Sequence, residues 1–248
     1  MVTHGSIFSG IGGFDLAAQW AGFENVYNCE IDAFARSVLA YRFPQSIQFT
    51  DVTKMENPPK VDILSGGFPC QDISHANTTL QSGIDGTRSG LFFHLARIID
   101  QTRPAFVVME NVAALAKNGL DKVLQTIANI GYDAEWAVIT AERYGAPHNR
   151  ARLWIVAYPN SYGRDGSQVV FGRLFTEKVP KTQGWEFSRT ICHTNGKKAL
   201  PPSFGVYDGV PVGVDFHKRI AALGNAIVPQ IAHHIFTIIK DRLNGVWE

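Results

Sequence analysis

Apolar positions in the first two-thirds of the chain fall into short continuous runs, separated by stretches of helical period. Ser6-Ile7-Phe8 is a strand-like run ending in Ser9-Gly10-Ile11-Gly12-Gly13. An amphipathic pattern over 14–20 is stopped by Gly22, and a second strand over 26–29 ends at Glu30. The spacing predicts helices over 33–42, 91–101 and 120–130, and strands over 61–64, 106–109 and 153–158. Strands alternating with helices of about ten residues predict a doubly wound α/β fold, its mostly parallel sheet covered by helices on both faces. Strands buried on both sides carry continuous apolar runs rather than alternation, and these strands do so.

From 159 to 215 the periodicity fades, Gly, Pro, Ser and Thr accumulate, and basic residues outnumber acidic ones. That shift predicts a small irregular lobe over 159–215, between a main domain over 1–158 and a C-terminal segment over 216–248. The segment is expected to return to the main domain with a closing helix over 230–243.

Composition narrows the picture. At 248 residues and 45% hydrophobic the chain can bury a full core. A formal net charge of +1 excludes a bulk polycation, so any nucleic-acid contact needs a local basic cleft. Cys29, Cys70 and Cys192 are too few and too scattered for a disulfide framework or a zinc site. There is no secretory-type N-terminus and no uninterrupted apolar run approaching ~18 residues. A cytoplasmic protein without metal or membrane contact is expected.

Candidate chemistry lies at the strand ends. Cys70, within Gly67-Phe68-Pro69-Cys70-Gln71, follows the strand over 61–64, and Glu110 follows the one over 106–109. A thiol and a carboxyl so placed offer a nucleophile and a general acid. An acid at the end of an apolar strand either is used or caps the next helix; in an apolar pocket its pKa rises, which suits a proton donor. The loop over 8–13 fits either a ligand loop or a plain strand-to-helix turn. Its glycines are not spaced GxGxxG, so a nucleoside without phosphates is favoured over a pyrophosphate. Glu30, twenty residues past Gly10, stands where an acid can bind ribose hydroxyls. Asp51 alone reads as a turn aspartate, Arg150 and Arg152 as a basic pair before a strand, and Asn225 as a cap for the last helix.

Taken together and in this order, these residues resemble the DNA (cytosine-5) methyltransferases. The resemblance covers about residues 4–158 and 217–240, and implies the Rossmann-like fold of S-adenosylmethionine-dependent methyltransferases with a small target-recognition lobe. Phe8-x-Gly10-x-Gly12-Gly13 looks like the cofactor loop, with Glu30 at the ribose, Asp51 at the adenine, and Ile31 and Val52 beside them assigned to cofactor binding. Pro69, Leu91 and Asn225 are similarly assigned to cofactor binding. Cys70 looks like the nucleophile that attacks cytosine C6, Glu110 like the group at N3, and Arg150 and Arg152 like the cytosine- and backbone-binding arginines. Residues 83–91 resemble the continuation of the catalytic loop.

The implied partner is double-stranded DNA, with contacts from Gln71, Ser74 and Arg88 and from Arg164, Arg173, Lys181, Arg189, Lys197 and Lys198 of the lobe. A monomer is expected, and a cognate restriction endonuclease is an allowed partner. Two features depart from the family: His148 stands where the family usually has Gln, and the lobe is short for a target-recognition region. A tRNA cytosine-5 methyltransferase is the nearest rival. A catalytically dead DNA-binding regulator would be expected to have lost Cys70, Glu110 or the glycine loop.

Overall fold

The computed structural model describes residues 1–69, 90–146, 148–161, 170–179 and 225–245, with the backbone of 193–194 and 197–198. Cys70 and the candidate DNA contacts Gln71, Ser74, Arg88, Arg164, Lys181 and Arg189 lie outside the described residues.

Seven strands form one sheet: β1 (Thr3–Ile7), β2 (Glu24–Cys29), β3 (Ile47–Phe49), β4 (Ile63–Gly66), β5 (Phe106–Val112), β6 (Tyr132–Thr140) and β7 (Ala151–Pro159). Their spatial order is β3-β2-β1-β4-β5-β7-β6. β1 to β5 pair in parallel, while β7 runs antiparallel to both β5 and β6. The helices are α1 (Gly13–Trp20), α2 (Ala33–Arg42), α3 (Leu91–Thr102), α4 (Leu120–Asn129), α5 (Phe171–Thr176) and α6 (Pro229–Leu243). A short hairpin pairs β8 (His193–Thr194) with β9 (Lys197–Lys198), so Lys197 and Lys198 sit on a strand.

Alternation along the buried strands divides the core in two. Ile7, Tyr27, Leu64, Val107, Met109 and Ile155 pack with Phe92, Leu95 and Ile99 of α3 and Val123 and Ile127 of α4. On the other face Ile63, Phe106, Val108, Trp154 and Val156 meet Phe14 and Ala17 of α1, Phe171 and Leu174 of α5, and Ile235 and Phe236 of α6. Both faces are covered, as the apolar runs predict. No helix among the described residues is long and apolar enough to cross a membrane.

Three local expectations are corrected. β5 continues through Glu110 and Asn111 to Val112, because β7 pairs with it that far; Glu110, expected to end the strand, is therefore followed by two more strand residues. Asn225 does not cap α6: Val228 holds the cap position and Pro229 the first turn, where a missing N–H costs nothing. The strand over 132–140 was not foreseen.

α5 is pinned through β6. The buried Glu135 carboxylate accepts hydrogen bonds from Val170 N and Phe171 N, both at 2.8 Å. Glu135→Ala leaves buried donors without their acceptor and is expected to lower the unfolding free energy by about 3 kcal/mol. Urea denaturation reads this as a lower midpoint; an unchanged midpoint would show that α5 holds by packing alone.

Acid should weaken the fold through two buried imidazoles. Burial pushes His4 and His234 down to about 4 from the ordinary 6.5. Between those values each takes up a proton only on unfolding, so stability falls as pH drops from 6.5 towards 4. Asp15, pushed up to about 7 by burial, has the opposite sign: its contribution is lost as pH rises from 3.8 through 7. Two imidazoles outweigh one carboxyl, so net destabilisation in acid is expected. His4→Gln should make the pH slope of the denaturation midpoint shallower.

Candidate active site

The carboxyl ends of β1, β2, β4 and β5 and the start of β7 surround a cavity of about 660 Å³. On one side are Phe8, Gly10, Glu30, Ile31, Asp51 and Val52; on the other are Gly67, Pro69, Glu110, Asn111, Arg150 and Arg152. Leu91 and Asn225 also line it. The structure thus brings together sequence candidates from eight separate stretches of chain.

On the first side, β1 passes into the glycine loop through Phe8 and Gly10, both at positive φ. A Cβ on Gly10 would meet nothing within 4 Å, leaving this backbone open to the cavity. Gly10 N donates to Glu30 Oε2 at 2.7 Å, and Asp32 N donates to Oε1 at 2.8 Å. Each oxygen takes one backbone donor and keeps a lone pair for another, such as a ligand hydroxyl. Asp51 Oδ1 accepts from Thr53 N at 2.9 Å and Thr53 Oγ1 at 2.7 Å. These bonds hold the Asp51 carboxyl below its ordinary value, so it stays an acceptor.

Gly12 and Gly13 are not among the cavity-lining residues. Gly12 lies at φ 87, where a Cβ would meet Phe43 at 2.6 Å, and a Cβ on Gly13 would meet Ile227 at 2.6 Å. They allow close packing behind the loop, against the segments flanking α2 and α6.

On the second side Glu110 is buried in the last third of β5, with Arg152 Nε 3.1 Å from its Oε1. Burial raises the Glu110 pKa, while Arg152 and Arg150 pull it down; burial prevails despite the ion pair. Gly67 leaves room here, since a Cβ on it would sit 3.5 Å from Glu110 Oε2. Asn111 Nδ2 donates to Phe68 O at 2.9 Å, anchoring the turn that leads to Cys70. Phe68 is buried against the Phe92 ring, at 5.0 Å between centroids. Sequence alone gives Asn111 no task; an amide directly after the strand-end acid was the available signal.

Arg150, at φ 25, donates from Nη2 to Ala226 O at 2.8 Å and so ties the chain before α6 to the site. Burial is the main influence lowering the Arg150 pKa. Arg152 Nη1 donates to Ala151 O at 2.9 Å. His148 is exposed beside this pair. Arg173 is elsewhere: it pairs with Glu177 at the end of α5 and does not line the cavity. Cys29, also on the cavity wall, is a thiol pushed up to about 12 by burial and by Glu30 and Asp51. At that value it is no nucleophile. Among the described residues no cluster of His, Cys, Asp and Glu has a metal-binding arrangement.

Parallel strands ending in a glycine loop, a strand-end acid and a reversed penultimate strand define the Rossmann-like fold of S-adenosylmethionine-dependent methyltransferases. Within that class, the chain belongs to the C-5 cytosine-specific DNA methylase family, whose model matches residues 2–201. It is 32% identical over 180 residues to the type II methyltransferase M2.BsuMI of Bacillus subtilis, covering 69% of this chain and 45% of the relative. Against M.HhaI of Haemophilus parahaemolyticus it is 36% identical over 160 residues, covering 62% and 48%. A prophage-encoded DNA modification methyltransferase of E. coli superposes with a TM-score of 0.55 at 28% identity, covering 69% of this chain and 50% of that one. Spodoptera frugiperda DNMT2 shares the fold at 22% identity and a TM-score of 0.55, over 64% and 50%. The chain spans about half the length of the curated relatives it matches.

Proposed function

We propose that the protein transfers a methyl group from S-adenosylmethionine to C5 of a cytosine flipped out of duplex DNA. The observation that carries this is the pair of buried Glu110 with half-buried Arg152, lining one cavity with the glycine loop, Glu30 and Asp51. Those last groups fit the cofactor: open backbone at Gly10, two Glu30 oxygens with spare lone pairs, and an ionised Asp51. When bound there, S-adenosylmethionine supplies an electrophilic methyl group.

The chain's own groups do the rest. C5 of cytosine is a poor nucleophile, and attack of the Cys70 thiolate on C6 makes it an enamine carbon. Glu110, whose pKa is raised by burial, supplies a proton to N3 as that attack develops. Arg152 faces the ring oxygen, where negative charge grows. After transfer, loss of the C5 proton and expulsion of Cys70 restore the ring. These groups lie inside a cavity, so a stacked base must leave the helix, at a cost of a few kcal/mol. The main domain over 1–158, with α5 and α6 packed on its sheet, carries the chemistry, and the remainder of 159–215 recognises the target. The enzyme works as a cytoplasmic monomer on DNA.

The test uses purified protein, tritiated S-adenosylmethionine and duplex DNA containing 5-fluorocytosine, with tRNA in a parallel arm. Fluorine at C5 cannot leave as a proton does, so the enzyme should be trapped as an adduct that survives denaturation. An adduct with DNA supports the proposal. Methylation of tRNA alone would replace the substrate, and cofactor binding without transfer to either would make the protein a binding module.

A further inference from the structure

Behind the glycine loop lies a buried polar chain that the methyl-transfer chemistry does not use. Asp15 sits in the first turn of α1 with no exposed surface, as does Ser6 on β1; Ser9 and Cys29 are 5% and 2% exposed. Ser6 Oγ lies 3.0 Å from both Asp15 carboxylate oxygens and 2.6 Å from Ser9 Oγ. Cys29 N donates to Ser9 Oγ at 3.1 Å.

With Asp15 ionised, above its raised pKa of about 7, the single Ser6 hydroxyl proton goes to the carboxylate, so in the short contact between the serines Ser9 donates. Its oxygen is then the acceptor for Cys29 N–H. The order runs one way, from the tip of β2 through Ser9 and Ser6 to Asp15. Both ends are held. Asn25 Nδ2 donates to Asp15 O at 2.8 Å, and His4 Nδ1 holds Asn25 Oδ1 at 2.7 Å. Ser9 N donates to Cys29 O at 3.1 Å, and Gly12 N to Ser9 O at 2.9 Å.

What this chain fixes is the shape of the cavity's first side. Ser9 lies between Phe8 and Gly10, and Cys29 precedes Glu30; these three neighbours belong to the two tips that Gly10 N and Glu30 Oε2 join. A buried carboxyl is costly, and among the described residues no ion pair offsets that cost. Packing alone would be served better by an apolar residue.

We propose that Asp15 is a positioning residue for the cofactor pocket: as the terminal acceptor of this relay it sets the glycine loop against the Glu30 tip. The proposal rests on reading the cavity as the S-adenosylmethionine site. Without the acceptor the Ser6 proton loses its partner, and the two hydroxyls are free to reverse. The Ser9 grip on Cys29 then loosens, and the Phe8–Gly10 backbone and Glu30 lose their mutual register.

The experiment compares wild type with Asp15→Ala, Asp15→Asn and Ser6→Ala, at a temperature where circular dichroism shows each folded. S-adenosylhomocysteine affinity is read by calorimetry, and methyl transfer as separate KM and kcat values. Asp15→Ala and Ser6→Ala should each weaken S-adenosylhomocysteine about tenfold, the effect of one lost buried hydrogen bond. Asp15→Asn, which keeps an oxygen acceptor, should recover most of that loss. KM for the cofactor should rise while kcat at saturating cofactor and KM for DNA stay unchanged. Wild-type affinity in both alanine variants, or an equal fall in kcat and DNA binding, would overturn the proposal. If Asp15→Ala does not fold, Ser6→Ala decides by itself. Should wild type itself fail to bind S-adenosylhomocysteine, the cofactor reading fails instead.

Discussion

Cys70→Ala is expected to abolish methyl transfer, by on the order of 10⁴-fold or more, while leaving S-adenosylmethionine binding intact. Without the thiolate there is no route to a nucleophilic C5, and the described groups offer no substitute. Cys29 faces the same cavity, but its thiol is held near 12 and stays protonated. An ordinary thiol with a pKa of ~8.5 is only about 3% thiolate at pH 7, so the site must assist. Among the described residues, Arg150 and Arg152 are the cations that line the cavity together with Gly67 and Pro69. The glycine loop, Glu30 and Asp51 belong to other strands, so cofactor affinity measured by calorimetry should not change. Residual transfer by the variant at even a hundredth of the wild-type rate would rule out the covalent route.

Glu110→Gln should slow transfer by about 10²- to 10³-fold with little effect on stability. The amide fills the same space and can donate one hydrogen bond to N3, but it cannot deliver a proton. The acid form matters because burial raises the Glu110 pKa against the pull of two arginines. In wild type the active, protonated form is lost as pH rises through that raised value, so kcat should fall on the alkaline side. The variant has nothing there to titrate, and its profile should lose that limb. A single-turnover pH series distinguishes the outcomes; if both proteins keep the limb, the proton comes from another group.

Much of the site could be read from the sequence because it sits where short-range signals are strong. Apolar runs ending in glycine or an acid marked the tips of β1, β2 and β5, and the helix over 33–42 was placed to the residue. Edge strand β6 was missed because one face is only half covered: Trp136 is 49% and Val138 47% exposed. Polar Asp133 and Glu135 further break its apolar run. Glu135 reads as a surface acid until the amides of residues 170 and 171 are brought to it from 35 residues away. Asp15 fails similarly, since its partners come from β1, the glycine loop and β2. For Asn225 only the capping alternative fails, because Pro229 starts α6 later than that signal suggests, while the residue itself lines the cavity. Cap signals are one-dimensional, whereas a buried carboxylate's purpose depends on which strands become neighbours.

The reversal of β7 separates two engineering problems. Ala151 pairs with Thr140 at the reactive end, and Pro159 pairs with Tyr132 at the opposite end. Eight residue steps of an antiparallel strand span about 27 Å. The polypeptide therefore leaves the sheet, at Asn160, on the side of the molecule away from the acid and its arginines. A fluorophore or affinity handle attached at Asn160 would ride on the far rim, reporting on the enzyme without intruding on the base or the methyl donor.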